Sequence, residues 1–271
     1  MSEKVLMKGN EAIAEAALSA GCRHYFGYPI TPQTEIAAYM AKRMPKIGGV
    51  FLQAESEISA INMVYGVSST GKRVMTSSSS PGVSLKMEGI SYLAGSDLPA
   101  VIVNVQRGGP GLGGIQPSQS DYFQATKGGG HGDYHMIVLT PASVQEMASL
   151  TMLAFDLADK YRTPVMILAD GTIGQMMESV VLPDEVKEKK YEKPWALTGT
   201  KMMREHNIVN SLYLSPEKLE ETNIERFERY RKIEENEVRV ESYMMDDASY
   251  ALVAFGIASR VAKASVNELR A

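Results

Sequence analysis

Polar residues that can do acid–base or anion-binding chemistry follow three predicted strands of this 271-residue chain. Thr31 follows one strand, Glu55 and Glu57 follow the next, and Gln106 and Arg107 follow the most apolar one. Because the carboxyl ends of parallel strands form one ligand crevice, we expect a hydroxyl, a carboxylate and a guanidinium to converge there. A guanidinium can hold a substrate carboxylate through two parallel hydrogen bonds.

The same residues also have ordinary structural interpretations. Thr31 can be a turn hydroxyl, and Arg107 can belong to a surface ion pair. Glu57 can be a first-turn carboxylate that the helix dipole favours. The pattern alone leaves the functional and the structural interpretation open.

Two small-residue segments are candidate anion-binding loops. Residues 108–114 are rich in glycine and follow a strong strand, but a lone Gly-x-Gly-x-x-Gly pattern is a weak sign of dinucleotide binding. The helix that should follow is displaced by Gln-Pro-Ser at residues 116–118. Residues 77–82 lie between a strand and a helix, where backbone N–H groups can hold an anion or simply form a turn.

Composition excludes several classes of function. A net charge of −4, from 28 basic and 32 acidic residues, argues against non-specific nucleic-acid binding. No apolar run approaches the roughly 18–20 residues of a membrane span, and no signal peptide is recognised, so we expect a cytoplasmic protein. The single cysteine, Cys22, excludes an intrachain disulfide and an iron–sulfur cluster held by this chain alone. His131 and His135 lie in a glycine-rich stretch that does not predict a helical metal site, and we predict no metal on this chain.

The hydrophobic pattern predicts an α/β fold with a doubly wound, mostly parallel sheet. Continuous apolar strands that alternate with helices are typical of a parallel sheet covered on both faces. The predicted strands are 24–28, 50–53, 73–76, 99–105, 136–139 and 164–168. The predicted helices begin after an Asn10 cap and near Pro32, and then cover 56–69, 83–94 and 143–161.

After Leu182 the sequence becomes dense in charged residues of both signs. We predict a first domain, a charged connecting arm with a helix, and a strand–helix unit. Their ranges are 1–182 for the domain, 183–246 for the arm with its helix at 216–241, and 247–271 for the unit, with its strand at 248–256 and helix at 257–269. The arm is either a solvated connection or a segment that wraps another subunit. One strand–helix pair is too small to fold alone, so its apolar face must pack on residues 1–182, on a partner or on a continuation of the chain. We favour the continuation, which makes the unit the start of an incomplete second α/β domain.

Four stretches of the sequence resemble one known family. They are Gly-Tyr-Pro-Ile-Thr-Pro at 27–32, Gln-Ala-Glu-Ser-Glu-Ile-Ser-Ala-Ile at 53–61, Val-Gln-Arg-Gly-Gly-Pro-Gly-Leu-Gly at 105–113, and the stretch 117–134. Together they resemble the α subunit of 2-oxoacid:ferredoxin oxidoreductases. The last stretch is most similar to the branched-chain, 2-oxoisovalerate member of that family.

The resemblance implies an enzyme that uses thiamine diphosphate to decarboxylate a 2-oxoacid. Electrons would pass through iron–sulfur clusters to ferredoxin, and the acyl group to coenzyme A. This chain would bind the aminopyrimidine ring, with Glu57 in the position of the family's catalytic glutamate and Glu55 as the competing candidate. Residues 247–271 would be the start of a second, incomplete α/β domain that is similar to the C-terminal domain of transketolase. A carboxylate bonded to ring nitrogen N1′ favours the imino tautomer, whose exocyclic nitrogen can take the proton from thiazolium C2.

The same match assigns the remaining site residues. Thr31 and Arg107 would receive the substrate carboxylate, and Pro29 and Ile30 would contact the cofactor together with Glu57. We see no additional basic residue for a second substrate carboxylate, which favours 2-oxoisovalerate over 2-oxoglutarate, with pyruvate also open.

The sequence lacks the Gly-Asp-Gly motif with which this class of enzyme holds the diphosphate and Mg²⁺. Asp170 and Gly171 follow Ala169 and predict a turn after a strand. A partner β subunit is therefore expected to carry the diphosphate and Mg²⁺ site, and further subunits the iron–sulfur clusters. The alternative of a different class is a non-catalytic α/β module that binds a nucleotide or another anion.

Overall fold

The computed structural model describes residues 4–183 and 190–271. A six-stranded sheet forms its centre, with the order β3-β2-β4-β5-β7-β6 and with every neighbouring pair parallel. The strands are β1 Lys4–Lys8, β2 His24–Gly27, β3 Val50–Gln53, β4 Val74–Ser78, β5 Ala100–Gln106, β6 Ile137–Leu139, β7 Pro164–Asp170 and β8 Met177–Val181. The helices are α1 Gly9–Ser19, α2 Thr34–Arg43, α3 Glu57–Ser69, α4 Pro81–Gly95, α5 Tyr122–Thr126, α6 Val144–Tyr161, α7 Gly171–Gln175, α8 Pro216–Glu237 and α9 Gly256–Arg270.

Helices cover both faces of the sheet, as the apolar runs predict. Every residue of β5 is buried, and its side chains alternate between two core clusters. Val101 and Val103 pack with α1, α2 and α6, whereas Ala100 and Ile102 pack with α3 and α4. The predicted doubly wound α/β class is confirmed.

The strand order places a ligand crevice between β2 and β4. From β2 the chain crosses outward to β3, and then returns past β2 to β4. Loops that leave neighbouring strands on opposite sides of the sheet separate at such a switch point and leave a crevice at the carboxyl edge. The loops after β2, β3, β4 and β5 carry the residues that the sequence selects.

A two-stranded antiparallel ribbon of β1 and β8 lies beside the main sheet, and sequence analysis missed it. It also changes the start of α1, since Lys8 rather than Asn10 is the N-cap residue. Asn10 is buried inside the first turn and donates hydrogen bonds to Pro32 O (2.8 Å) and Glu35 Oε2 (2.9 Å). The helix expected near Pro32 begins two residues later, at Thr34.

The C-terminal region differs from the prediction at two points. The helix expected over 216–241 ends at Glu237, and that expected over 257–269 is present as α9. The strand predicted over 248–256 is wrong, because residues 248–255 form no strand and no described strand pairs with them. Without a neighbour to satisfy its backbone, this apolar segment leaves Tyr250 and Val253 exposed.

Both C-terminal helices are attached to the sheet region by polar contacts. Arg226 and Arg229 of α8 form ion pairs with Asp97, which follows α4. At the start of α9, the Ile257 amide donates to Asp170 Oδ2 at the end of β7 (3.0 Å). The division into three domains stays a prediction.

Candidate active site at the carboxyl edge of the sheet

The structure separates the two candidate carboxylates after β3. Ser56 caps α3 by accepting a hydrogen bond from Ser59 N (3.2 Å), which makes Glu57 the first helical residue. Glu57 is only 6% exposed. Glu55 is exposed, and a hydrogen bond from the Ser59 hydroxyl lowers the pKa of its carboxyl. Of the two, Glu57 is therefore the one inside the crevice.

Gly82 leaves the space that Glu57 occupies. A Cβ atom at position 82 would lie 2.6 Å from Glu57 Oε1, and closer still to the Ser78 hydroxyl. Two turns later, a Cβ atom at Gly89 would lie 2.5 Å from Ile61 Cγ2. The helices α3 and α4 thus approach closely at two glycines, and Glu57 fills the first of the two gaps.

A fully buried lysine lies on the same helix. Lys86 Nζ donates to Thr76 Oγ1 (2.5 Å) and to Ser77 O (3.1 Å) on β4. Burial lowers the pKa of Lys86 to about 7, against an opposing influence from the negative charge of Glu57. Sequence analysis did not select Lys86, although a lysine with apolar neighbours on both sides, Leu85 and Met87, was the available signal.

The turn between β4 and α4 is strained at Ser80, whose φ of 27° is rare for a residue with a side chain. Several hydrogen bonds hold it there. Ser80 N donates to Asn104 Oδ1 (3.0 Å), and Ser80 Oγ donates to Asp121 Oδ2 (2.5 Å). Asn104 Nδ2 also donates to Asp121 Oδ2 (2.9 Å), and the Arg107 amide donates to Ser80 Oγ (3.0 Å). Strain fixed by its surroundings is common at functional sites.

Arg107 and Thr31 meet, but through the main chain of Thr31. Arg107 Nη1 donates to Thr31 O (3.0 Å) and Nη2 to Leu112 O (2.8 Å). The glycine-rich segment after Arg107 folds back on itself, with Gly114 N bonded to Gly108 O (2.9 Å). The guanidinium therefore links the loops after β2 and β5, as the convergence argument predicts.

The loop after β2 presents the other predicted residues at the rim of the crevice. Pro29 and Thr31 are exposed, and Ile30 is half-buried. The carbonyl of Ile30 accepts a hydrogen bond from Gln33 N (3.2 Å), which fixes the loop ahead of α2. The roles of these three residues stay predictions.

Several polar atoms of the site are left without a partner. Ser78 Oγ, Ser79 Oγ and Arg107 Nε are buried and make no hydrogen bond to any described residue. Buried polar atoms are seldom left unpaired, and one of the three, Ser78 Oγ, lies beside Gly82 and Glu57. The unpaired atoms fit a polar ligand at the carboxyl edge of the sheet.

Asp170 has a structural role at the end of β7. Its Oδ1 accepts hydrogen bonds from Thr172 N and Ile173 N (both 3.0 Å) and begins the short helix α7, where sequence analysis predicts a turn. No group of three or more His, Cys, Asp or Glu residues in the described parts of the chain could hold a metal ion. In the same parts, no helix is both long and apolar enough to cross a membrane.

The chain is similar to known proteins over most of its length. Residues 15–245 match the family model "Pyruvate flavodoxin/ferredoxin oxidoreductase, thiamine diP-bdg". The ketoisovalerate oxidoreductase subunit VorB of Methanothermobacter thermautotrophicus is 54% identical over 98% of this chain and 75% of its own length. The 2-oxoglutarate synthase subunit KorA of the same organism is 50% identical over 72% of this chain and 52% of its own length.

A solved structure gives the same result for the fold. The 2-oxoglutarate:ferredoxin oxidoreductase of Magnetococcus marinus, with 2-oxoglutarate, coenzyme A and succinyl-CoA bound, matches 99% of this chain with a TM-score of 0.88 and 30% identity. This chain spans 52% of that one. The protein therefore belongs to the thiamine diphosphate-binding pyruvate flavodoxin/ferredoxin oxidoreductase family.

Proposed function

We propose that this chain is a catalytic subunit of a 2-oxoacid:ferredoxin oxidoreductase that converts 2-oxoisovalerate to an acyl-CoA and CO₂. The observation that carries the proposal is the buried Glu57 carboxylate, packed on Gly82 at the crevice of a fold that belongs to a thiamine diphosphate-binding family. The VorB relative supports the branched-chain substrate, because it matches nearly the whole chain.

The residues of the crevice fit the pyrimidine half of thiamine diphosphate. The unpaired hydroxyls of Ser78 and Ser79 offer hydrogen bonds, and Gly82 leaves room beside the Glu57 carboxylate. When bound, the cofactor supplies the carbon nucleophile and the electron sink for loss of CO₂. Glu57 would exchange a proton with ring nitrogen N1′, and Pro29 and Ile30 would contact the cofactor from the rim.

Thr31 and Arg107 orient the substrate carboxylate in this proposal. Thr31 is exposed at the rim. Arg107 holds the Thr31 loop through a main-chain hydrogen bond, and its buried Nε has no partner among the described residues. A carboxylate held by these two groups would be fixed for departure as CO₂.

The remaining parts of the enzyme lie on other chains. A β subunit supplies the diphosphate and Mg²⁺ site, and further subunits carry the iron–sulfur clusters that pass electrons to ferredoxin. Coenzyme A takes up the acyl group, and the complex works in the cytoplasm. What supports this division is the absence of a Gly-Asp-Gly motif from the sequence.

A second candidate substrate is 2-oxoglutarate. The KorA relative and the Magnetococcus marinus enzyme are named for that substrate and are also similar to this chain. Its second carboxylate would need a basic group in the pocket.

The test is anaerobic viologen reduction by the complex captured from source cells. With coenzyme A present, we expect 2-oxoisovalerate to be used in preference to 2-oxoglutarate and pyruvate. Glu57→Gln should lower the rate by at least about 100-fold, since a positioned acid–base group contributes about 10²–10⁴-fold. Glu55→Gln is the matched control and should keep the activity.

Two results would contradict the proposal. Full activity of an assembled Glu57→Gln complex would remove Glu57 from the mechanism. A complex that holds cofactor and clusters but turns over no 2-oxoacid would favour the alternative, a non-catalytic module that binds an anion.

A further inference from the structure

The two strands that border the crevice stop pairing before β2 ends. The ladder between β2 and β4 extends only to Tyr25 and Met75, whereas the ladder between β2 and β3 continues to Gly27 and Gln53. Beyond Tyr25 the two strands separate, as they must at a switch point of the sheet. The main chain of the ladder therefore does not fix the loop after β2 relative to β4.

A series of buried side chains crosses the gap that the ladder leaves. The hydroxyl oxygens of Tyr25 and Ser77 lie 2.6 Å apart, and Ser77 Oγ lies 2.5 Å from Gln33 Oε1. Gln33 Nε2 in turn donates to Tyr28 O (3.2 Å). Tyr25, Ser77 and Gln33 are all 0% exposed. Gly27 leaves room for the first member, because a Cβ atom there would lie 2.6 Å from the Tyr25 hydroxyl oxygen.

The chemistry of the groups fixes which atom donates at each step. Tyr28 O can only accept, so Gln33 turns its amide nitrogen towards Tyr28 and its amide oxygen towards Ser77. Ser77 gives its one hydroxyl proton to that oxygen, which leaves Tyr25 as the donor to Ser77. Each member has a single role, so the loss of any one leaves a buried polar atom unpaired.

The loop of residues 28–32 is held from several elements at once. Thr31 O accepts a hydrogen bond from Arg107 after β5, and Pro32 O accepts one from Asn10 of α1. In the described parts of the chain, the side chain of Gln33 provides the hydrogen-bonded connection from this loop to β4. Gln33 is therefore the point at which the loop and β4 are joined across the crevice.

We propose that Gln33 is a positioning residue that fixes the 28–32 loop relative to β4. The end of β4 carries Ser78, which lies with Glu57 beside Gly82. The consequence rests on the proposed function: the loop holds Thr31 at a set place relative to the Glu57 carboxylate, so that substrate and cofactor meet in register. Gln33 acts through the loop and does not touch the reacting atoms.

Two variants break the connection at different members, and a third provides a matched control. Ser77→Ala removes one atom, and Gln33→Met keeps the length of the side chain but removes both polar atoms. Ser68→Ala makes the same substitution at another fully buried serine, whose Oγ donates to Pro99 O (2.6 Å) before β5. Ser77→Ala is the decisive variant, because it disturbs the packing least.

The first assay is steady-state viologen reduction by each assembled complex, with rates expressed per bound cofactor. We expect kcat/KM for 2-oxoisovalerate to fall about 10-fold or more in Ser77→Ala and Gln33→Met, because a misplacement of about 1 Å can cost about 10²-fold. KM should rise as well as kcat fall, since the loop carries Thr31, which holds the substrate before it reacts. Ser68→Ala should keep both constants. Unchanged kcat and KM in assembled Ser77→Ala would overturn the proposal, as would the same loss in Ser68→Ala.

A second measurement does not depend on turnover. Urea unfolding of the full chain with Gln33→Met, Ser77→Ala and the double variant forms a double-mutant cycle. We expect the double variant to lose less stability than the sum of the single losses, because both substitutions remove one shared hydrogen bond. Gln33→Met combined with Ser68→Ala should be additive.

The two measurements separate the possible failures. Additive effects of Gln33→Met and Ser77→Ala would refute the connection between the loop and β4. Coupling in the cycle, found with a wild-type complex that turns over no 2-oxoacid, would refute the proposed function and leave the connection in place.

Discussion

Replacement of Gly82 by alanine should damage the site more than the fold. The new Cβ atom would lie 2.6 Å from Glu57 Oε1, well inside the roughly 3.5–4.0 Å at which heavy atoms pack. The two obstructing atoms, of Glu57 and Ser78, are the ends of side chains that can rotate. The backbone can therefore stay while the carboxylate moves. Overpacking costs about 1–3 kcal/mol, and the helix preference of alanine over glycine returns about 0.5–1 kcal/mol.

The functional effect should be larger. A displacement of a catalytic group by about 1 Å can lower a rate by about 10²-fold. We therefore expect Gly82→Ala to lower 2-oxoacid turnover about 100-fold with a net loss of stability of about 2 kcal/mol or less.

Two other glycines provide matched controls. At Gly89 the new Cβ atom would lie 2.5 and 2.7 Å from two γ-carbons of Ile61, a stiff β-branched side chain in the core. Gly89→Ala should therefore cost about 1–3 kcal/mol of stability and affect turnover less than Gly82→Ala does. At Gly66 nothing lies within 4 Å, and alanine should stabilise α3 slightly.

Urea unfolding of each chain and turnover by each assembled complex are the two assays. If Gly82→Ala kept wild-type turnover, Glu57 would not need the position that the structure gives it. If Gly89→Ala abolished turnover without loss of stability, the assignment of Gly82 to the site and of Gly89 to the core would be wrong.

Three further predictions concern the surroundings of the site. Asp121→Ala removes the acceptor that holds Ser80, so we expect lower turnover and a loss of about 1–3 kcal/mol of stability in urea unfolding. Unchanged turnover and unchanged stability would show that the strained turn does not need Asp121. Asp159 of α6 forms a buried ion pair with Nε of Arg73 (2.8 Å), the residue just before β4. Asp159→Asn weakens this ion pair and should cost about 3 kcal/mol of stability, while turnover per folded complex is unchanged. The third prediction is a pH effect, because burial lowers the pKa of Lys86 from 10.5 to about 7. Between these two pH values the unfolded chain binds one more proton than the folded chain. The free energy of unfolding should therefore rise with pH in this range. The rise should be smaller in Lys86→Met, and equal slopes in the two proteins would contradict the burial argument.

The sequence was sufficient to predict the layer architecture. Apolar runs identify strands, and polar residues that follow parallel strands must share one edge. The loops that carry Thr31 and Arg107 do meet, through the Thr31 carbonyl, whereas the roles of both side chains stay predictions. The choice between Glu55 and Glu57 depends on which one follows the Ser56 cap, and in the sequence only the family resemblance favours Glu57.

Features that depend on distant parts of the chain were not predictable. The pairing of β1 with β8 joins residues far apart in the sequence, and neither strand is strongly apolar. The segment 248–256 has a strand-like composition, but a strand also needs a partner, which composition does not reveal. The burial of Lys86 was missed because it depends on hydrogen bonds to β4 that the sequence does not show.

The ribbon of β1 and β8 has a consequence for how this unit can be combined with others. Lys4 lies opposite Val181 and Lys8 opposite Met177, so the backbone enters and leaves the main sheet at one place. The residues between β1 and β8 therefore form a unit whose two ends are adjacent in space. Such a unit can be inserted into a longer polypeptide, or circularly permuted at an exposed loop, because its two ends lie side by side. A fusion at these two strands must still keep the contacts of α8 with Asp97 and of α9 with Asp170.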